Sequence, residues 1–161
     1  TTLVNNAAIS QVGLFTDTTP DSWQHIMNVN VNSVYNFCHA ALPYMINKKV
    51  GQIINISSVW GLVGASCEVA YSTTKGAINA FTKALAKELA PSNISVNAIA
   101  FGAVNTTMNG HLDSEELDAL CNEIPYGRMC TPIEAAQCIK GVLNMPEYLT
   151  GEIIKFDGGW I

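Results

Sequence analysis

The sequence holds 161 residues, enough for one domain with a real hydrophobic core. Hydrophobic residues make up 48% of it and charged residues 13%, which excludes a disordered chain, and a formal net charge of −5 excludes the basic footprint of a nucleic-acid-binding protein. Five cysteines (Cys38, Cys67, Cys121, Cys130, Cys138) without a C-x-x-C pair argue against a disulfide framework or a zinc site and for reduced thiols in the cytoplasm. No apolar run reaches the length of a membrane span.

In chain order, "TLVNN" reads as the tail of a buried strand, and the chain, which opens there without an initiator methionine, is expected to be part of a longer protein. A long helix is predicted from Pro20 to about Lys48, started by the polar residues Asp17 to Asp21 and tolerating Pro43 as a kink. "QIINIS" is a short continuous apolar run, the pattern of a strand buried on both faces. Ala70 to Ala90 is predicted helical, with Ile78, Phe81, Leu85 and Leu89 at helical spacing and Pro91 as the stop. "ISVNAIA" follows as a further buried strand, then a polar loop and short helix from Gly102 to about Glu123, a helix from Pro132 to about Asn144, and a closing strand "EIIKF". Strands alternating with helices predict an α/β fold, a doubly wound parallel sheet with right-handed crossovers.

Ligands of such sheets bind beyond the carboxyl ends of the strands. Three predicted strands run there into small and polar residues: Asn5, Asn6, Ala7 and Ala8; Ser57 and Ser58; Gly102, Val104, Asn105 and Thr106. Tyr71 and Lys75, four apart, share one helical face near a helix start. An ammonium and a helix N-terminus both favour a phenolate, so the pair is expected to tune Tyr71 toward proton transfer near neutral pH. Alone, a Tyr-x-x-x-Lys pair is an ordinary aromatic–cation contact. Ser58, thirteen residues before Tyr71, and Asn30, within "MNVNVNSVYNF", change that reading.

With these residues in place the chain resembles the short-chain dehydrogenase/reductase family, whose active site is an Asn-Ser-Tyr-Lys tetrad. "LVNNAA", "FGAVNTTM" and "TGEIIKFDGGW" extend the resemblance over the whole chain. The resemblance implies that Tyr71 is the general acid/base, that Lys75 lowers its pKa and binds the nicotinamide ribose, that Ser58 holds the substrate carbonyl, and that Asn30 holds a water in a proton relay. It implies cofactor contacts at Asn6, Ala7, Tyr71, Lys75, Val104 and Thr106, an NADP or NAD cofactor with NADP favoured, and no metal. It further implies a Rossmann-like sheet lacking its N-terminal βαβαβ part: residues 1–161 form the C-terminal part of a single domain, about 80 residues precede them, and the first remaining strand becomes an exposed edge. No glycine fingerprint for a pyrophosphate occurs in the sequence, Ala8 stands where the family has glycine, and Phe101 where it has proline.

The 3-oxoacyl-acyl-carrier-protein reductases are the most similar subfamily, through "IPYGRMCTPIEAAQ", so the expected substrate is a small-molecule or carrier-linked carbonyl compound. The family's helix pairing implies a homodimer or homotetramer, through Val34, Phe37, Ala41 and Met45 on the first long helix and Ala80, Ala84 and Ala86 on the second. A catalytically silent dinucleotide-binding or regulatory protein is the alternative, and the intact tetrad argues against it. Ser57 reads as a strand-end residue, His25, His39 and His111 as scattered surface positions, Cys67, Met108 and Met129 as packing, and Trp60 and Glu68 as residues flanking the pocket. The segment Val59 to Val69 is expected to form one pocket wall.

Overall fold

The computed structural model describes residues 1–110 and 112–161, so His111 lies outside the described residues. Four parallel strands, β1 (Thr2–Asn5), β2 (Gly51–Ser58), β3 (Ile94–Phe101) and β4 (Ile153–Phe156), lie side by side in the order β1-β2-β3-β4. The register pairs Val4 with Ile54, Ile53 with Val96, and Ile99 with Ile154.

Successive side chains of a strand point to opposite faces, and here both faces are covered. On one, Ile53 and Val96 pack with Val34, Cys38 and Met45 of α2 (Ser33–Lys48) and with Ile78, Ala86 and Leu89 of α4 (Val69–Leu89). On the other, Ile54 and Ile99 meet Ala135, Ile139 and Val142 of α6 (Pro132–Leu143). That sandwiching explains why β2 and β3 read as mainly apolar runs. Each isoleucine so buried contributes about 1.5–3 kcal/mol.

The helices begin and end where local chemistry dictates. Thr131 and Glu134 form a capping box at the start of α6, with Pro132 in its first turn, and Asp113 with Glu116 forms another at α5 (Ser114–Glu123). Past the end of α4, Pro91 sits in a short 3₁₀ turn and Asn93 takes the left-handed conformation that leads into β3.

The predicted helix 20–48 is not continuous. It consists of α1 (Pro20–Met27), a π turn over Asn28–Asn32, and α2, within which Pro43 is accommodated. The predicted connection 59–69 contains a single-turn helix, α3 (Trp60–Val63). Val34, Met45 and Ala86 do not face outward as expected; they belong to the core between helices and sheet. The strand β1 lies at the sheet edge as predicted, with Val4 more than a third exposed. Among the described residues no helix is long and apolar enough to cross a membrane, and the five cysteines are unpaired.

Candidate active site

The carboxyl ends of β1, β2 and β3 open into one cleft of about 760 Å³, within the range of small-molecule and cofactor sites. Asn6, Ala7, Ser58, Tyr71, Lys75, Val104 and Thr106 all line it. Asn5 turns inward, and Ser57, though it borders the cleft, is held by a buried partner. Asn5 donates to Asn55 Oδ1 at 2.8 Å, and Ser57 donates to Asn79 Oδ1 at 2.6 Å. Both serve buried polar pairing, as expected of a buried amide or hydroxyl.

Ser58 ends β2, and Tyr71 lies in the first turn of α4, so strand and helix deliver two hydroxyls to one point. The Ser58 hydroxyl lies close enough to the phenol to favour its ionised form, and its Oγ accepts from Trp60 N–H at 3.2 Å. Burial pushes the Tyr71 phenol up to about 12; the Ser58 hydroxyl acts the other way, and the negative charge of Glu68 adds to the rise. Lys75 lies one turn further along. Burial pulls its amine down to about 8, and its Nζ donates to the Ile56 carbonyl at 2.9 Å and lies 5.5 Å from the centroid of the Tyr71 ring. This differs from the expected tuning toward neutral pH. Desolvation and Glu68 outweigh the neighbouring ammonium, which sits over the ring and is spent on a backbone oxygen.

Asn30 is not part of the cleft wall. It lies buried in the π turn, where its Nδ2 donates to the Ile9 carbonyl (2.8 Å) and to Thr74 Oγ1 (3.1 Å), and its Oδ1 accepts from Ile9 N–H (2.8 Å). Thr74 in turn donates to the Tyr71 carbonyl at 2.7 Å. Asn30 therefore braces the loop after β1 against the turn that carries Tyr71. The π turn is what aims it inward, since one extra residue per turn rotates the helix face.

Two glycines permit the close approaches. A Cβ on Gly61 of α3 would lie 2.7 Å from the Lys75 carbonyl carbon and 2.8 Å from its Cβ, so only glycine lets α3 rest on α4. A Cβ on Gly102 would lie 2.9 Å from Asp157 Cα, where the chain end closes on β3.

Val59, Trp60 and Glu68 supply the expected wall from the 59–69 segment, whereas Gly64 to Ser66 do not reach the cleft. Trp160 and Ser10 also line it and carry no local sequence signal; each reaches the site only through the fold. The Trp60 and Trp160 rings lie 4.8 Å apart. His25 and His39 are exposed, and no cluster able to hold a metal occurs among the described residues. The donor set fits the nicotinamide end of a dinucleotide: Ala7 and Val104 offer apolar contact, Asn6 and Thr106 polar groups, and Lys75 a cation beside them.

Fold and site are those of a doubly wound α/β protein with a cleft at the carboxyl ends of its strands. Residues 1–117 match the short chain dehydrogenase family, and the chain belongs to that family. It is 44% identical over 159 residues to an uncharacterized oxidoreductase, YmfI, of Bacillus subtilis, covering 98% of this chain and 66% of that protein. To the 3-oxoacyl-[acyl-carrier-protein] reductase FabG of Thermotoga maritima it is 38% identical over 160 residues, covering 99% of this chain and 65% of that protein. The chain thus spans just under two thirds of these curated relatives. Among solved structures, ElxO with NADP bound superposes with a TM-score of 0.91 at 34% identity, over 99% of this chain and 66% of that one. A 3-oxoacyl-[acyl-carrier protein] reductase from Brucella melitensis superposes with a TM-score of 0.94 at 32% identity, over 99% and 63%.

Proposed function

We propose that the protein is an NAD(P)(H)-dependent oxidoreductase that interconverts a ketone and a secondary alcohol, in the manner of the 3-oxoacyl reductases, with Tyr71 as general acid/base. The observation that carries this reading is the meeting of Tyr71, Ser58 and Lys75 in one cleft at the strand ends. Asn6 and Ala7 would line a bound nicotinamide cofactor, Val104 and Thr106 would meet its carboxamide and pyrophosphate end, Tyr71 and Lys75 would hold its ribose, and the cofactor would supply or take the hydride.

Ser58 hydrogen-bonds the carbonyl oxygen and fixes it beside Tyr71. Tyr71 passes its proton to that oxygen as negative charge develops there. A phenol held up at about 12 is protonated at neutral pH, so it enters as an acid, which suits carbonyl reduction. Lys75, mostly protonated at neutral pH, keeps a positive charge beside the ring as the phenol gives up its proton. Asn30 is assigned to a water in the proton relay; with both side-chain N–H groups spent, it can offer that water only acceptors.

The proposal includes NADP as the preferred cofactor, on the likeness to an NADP-bound structure, and a small-molecule or carrier-linked carbonyl substrate. It also includes residues 1–161 as the C-terminal part of one domain, a homodimer or homotetramer, and a cytoplasmic location in keeping with the unpaired thiols. The test is nicotinamide absorbance with the full-length protein, NADPH or NADH, and a 3-oxoacyl thioester. Oxidation of the cofactor that depends on the thioester is expected. No turnover with either cofactor on thioester or simple ketoester would overturn the reading.

A further inference from the structure

Two loops meet beside Tyr71. The connection after β1 offers Ser10, whose Oγ donates to Glu68 Oε2 at 2.9 Å, and Gly13, whose N–H donates to the Cys67 carbonyl at 2.8 Å. Cys67 adopts a left-handed backbone, φ +61°, which turns the chain sharply just before Glu68. Glu68 is therefore held at the mouth of α4, partly buried in the cleft wall and three residues before Tyr71. Its charge reaches the phenol.

The composition of the wall gives that carboxylate its meaning. Among the described residues the cleft carries two charged side chains, Lys75 and Glu68. Lys75 donates one N–H to the Ile56 carbonyl and lies 5.5 Å from the Tyr71 ring centroid, deep beside the phenol. The ion pairs among the described residues are Arg128–Glu134 and Lys155–Asp157, so Glu68 has a hydroxyl partner and no cation. Trp60 and Trp160 add aromatic surface in the same cleft, and ring faces attract cations. A carboxylate and aromatic rings together welcome an ammonium or an N–H donor, and the carboxylate repels a second carboxylate.

We propose that Glu68, set in place by Ser10, is a charge filter that makes the cleft favour ketones bearing a cationic or hydrogen-bond-donating group and disfavour ketones bearing a carboxylate. This inference rests on the carbonyl-reductase reading above, and binding separates the two. Three matched acetoacetyl compounds serve as probes: acetoacetate, its methyl ester, and its amide with ethylenediamine, which carries one ammonium. Their binding to the full-length protein is followed by tryptophan fluorescence, to which Trp60 and Trp160 in the cleft contribute alongside Trp23, and their turnover by cofactor absorbance.

The wild-type protein is expected to bind the ammonium compound tightest and acetoacetate weakest, with roughly tenfold or more between them at low salt and less at high salt. Glu68→Gln keeps an acceptor for Ser10 and removes the charge, so it should bring the three affinities to within about threefold, a collapse expected if charge sets the order. An unchanged order in Glu68→Gln, or equal affinities in the wild type, overturns the filter. Binding in the expected order without turnover leaves the filter standing and overturns the reductase reading.

Discussion

Tyr71 and Lys75 sit in surroundings that oppose charge on both, and this has a measurable signature. Lys75 is pulled from an ordinary 10.5 down to about 8, so its ammonium costs the folded chain roughly 3 kcal/mol at neutral pH. Between those two values the unfolded chain binds the proton more tightly. Stability therefore rises with pH from about 8, is fully present above 10.5, and is lost as pH falls through 8. Tyr71 acts oppositely: raised from 10 to about 12, it contributes stability below pH 10 that disappears as pH climbs through 12. The urea midpoint should accordingly rise between pH 8 and 10, and Lys75→Met should remove that rise. Parallel profiles for wild type and variant would refute the burial account. On activity, Tyr71→Phe should lower kcat by about 10²–10⁴-fold with NADPH affinity kept, as measured by turnover and by titration of nicotinamide fluorescence. The residue types were legible in the sequence because Ser58, Tyr71 and Lys75 fall on adjacent elements with fixed spacing. The sign of the Tyr71 shift was not, because burial and the reach of Glu68 depend on packing from distant loops.

At the scale of elements, the parts whose pattern is local matched expectation and the parts set by contact did not. β2 and β3 stood out because a strand covered on both faces is mainly apolar, even with Asn55, Ser95 and Asn97 buried within them, and α6 because Pro132 marks a helix start. The π turn at Asn28–Asn32 leaves no mark in hydrophobic spacing; it exists to turn Asn30 toward Ile9 and Thr74. Likewise α3 hides in a glycine-rich stretch, since its stability comes from resting on α4. That contact can be tested. Gly61→Ala would force a methyl to within 3 Å of Lys75 backbone, and Asn79 Nδ2, which donates to the Gly61 carbonyl at 2.9 Å, would lose its partner as α3 moves away. A loss of about 1–3 kcal/mol is expected from the overpacking, together with a fall in kcat/KM as Lys75 shifts. Urea denaturation and steady-state turnover check both. A fully stable, fully active Gly61→Ala would show that α3 does not position Lys75.

For the molecule as a whole, the core accounts for the inward faces of α2 and α4 and leaves an outward set unexplained. Tyr35, Phe37 and Tyr44 on α2 are 55%, 59% and 56% exposed, and Ala80 and Ala84 on α4 are exposed small residues that let another helix approach closely. The sequence pointed to excess apolar surface on these helices, but assigned Val34, Met45 and Ala86 to it, because spacing alone does not say which of two apolar stripes meets the sheet. Phe37 and Tyr44, seven residues apart, share one face of α2, with Tyr35 on the other side. Exposed large aromatics paired on a helix face mark a covered surface, and closed two-fold pairing is the commonest way to cover it. A second copy of the protein is the occupant we expect. Phe37, on the face it shares with Tyr44, should then be a point of high cost: Phe37→Asp would place a charge in a desolvated contact and weaken association by about a hundredfold or more. The core would be untouched, since Phe37 takes no part in it. Sedimentation velocity at micromolar concentration should find the full-length wild type as a dimer or tetramer and Phe37→Asp shifted to smaller species with an unchanged thermal midpoint. A monomeric wild type, or a variant that sediments with it, would mean that these aromatics are covered by something other than a second copy.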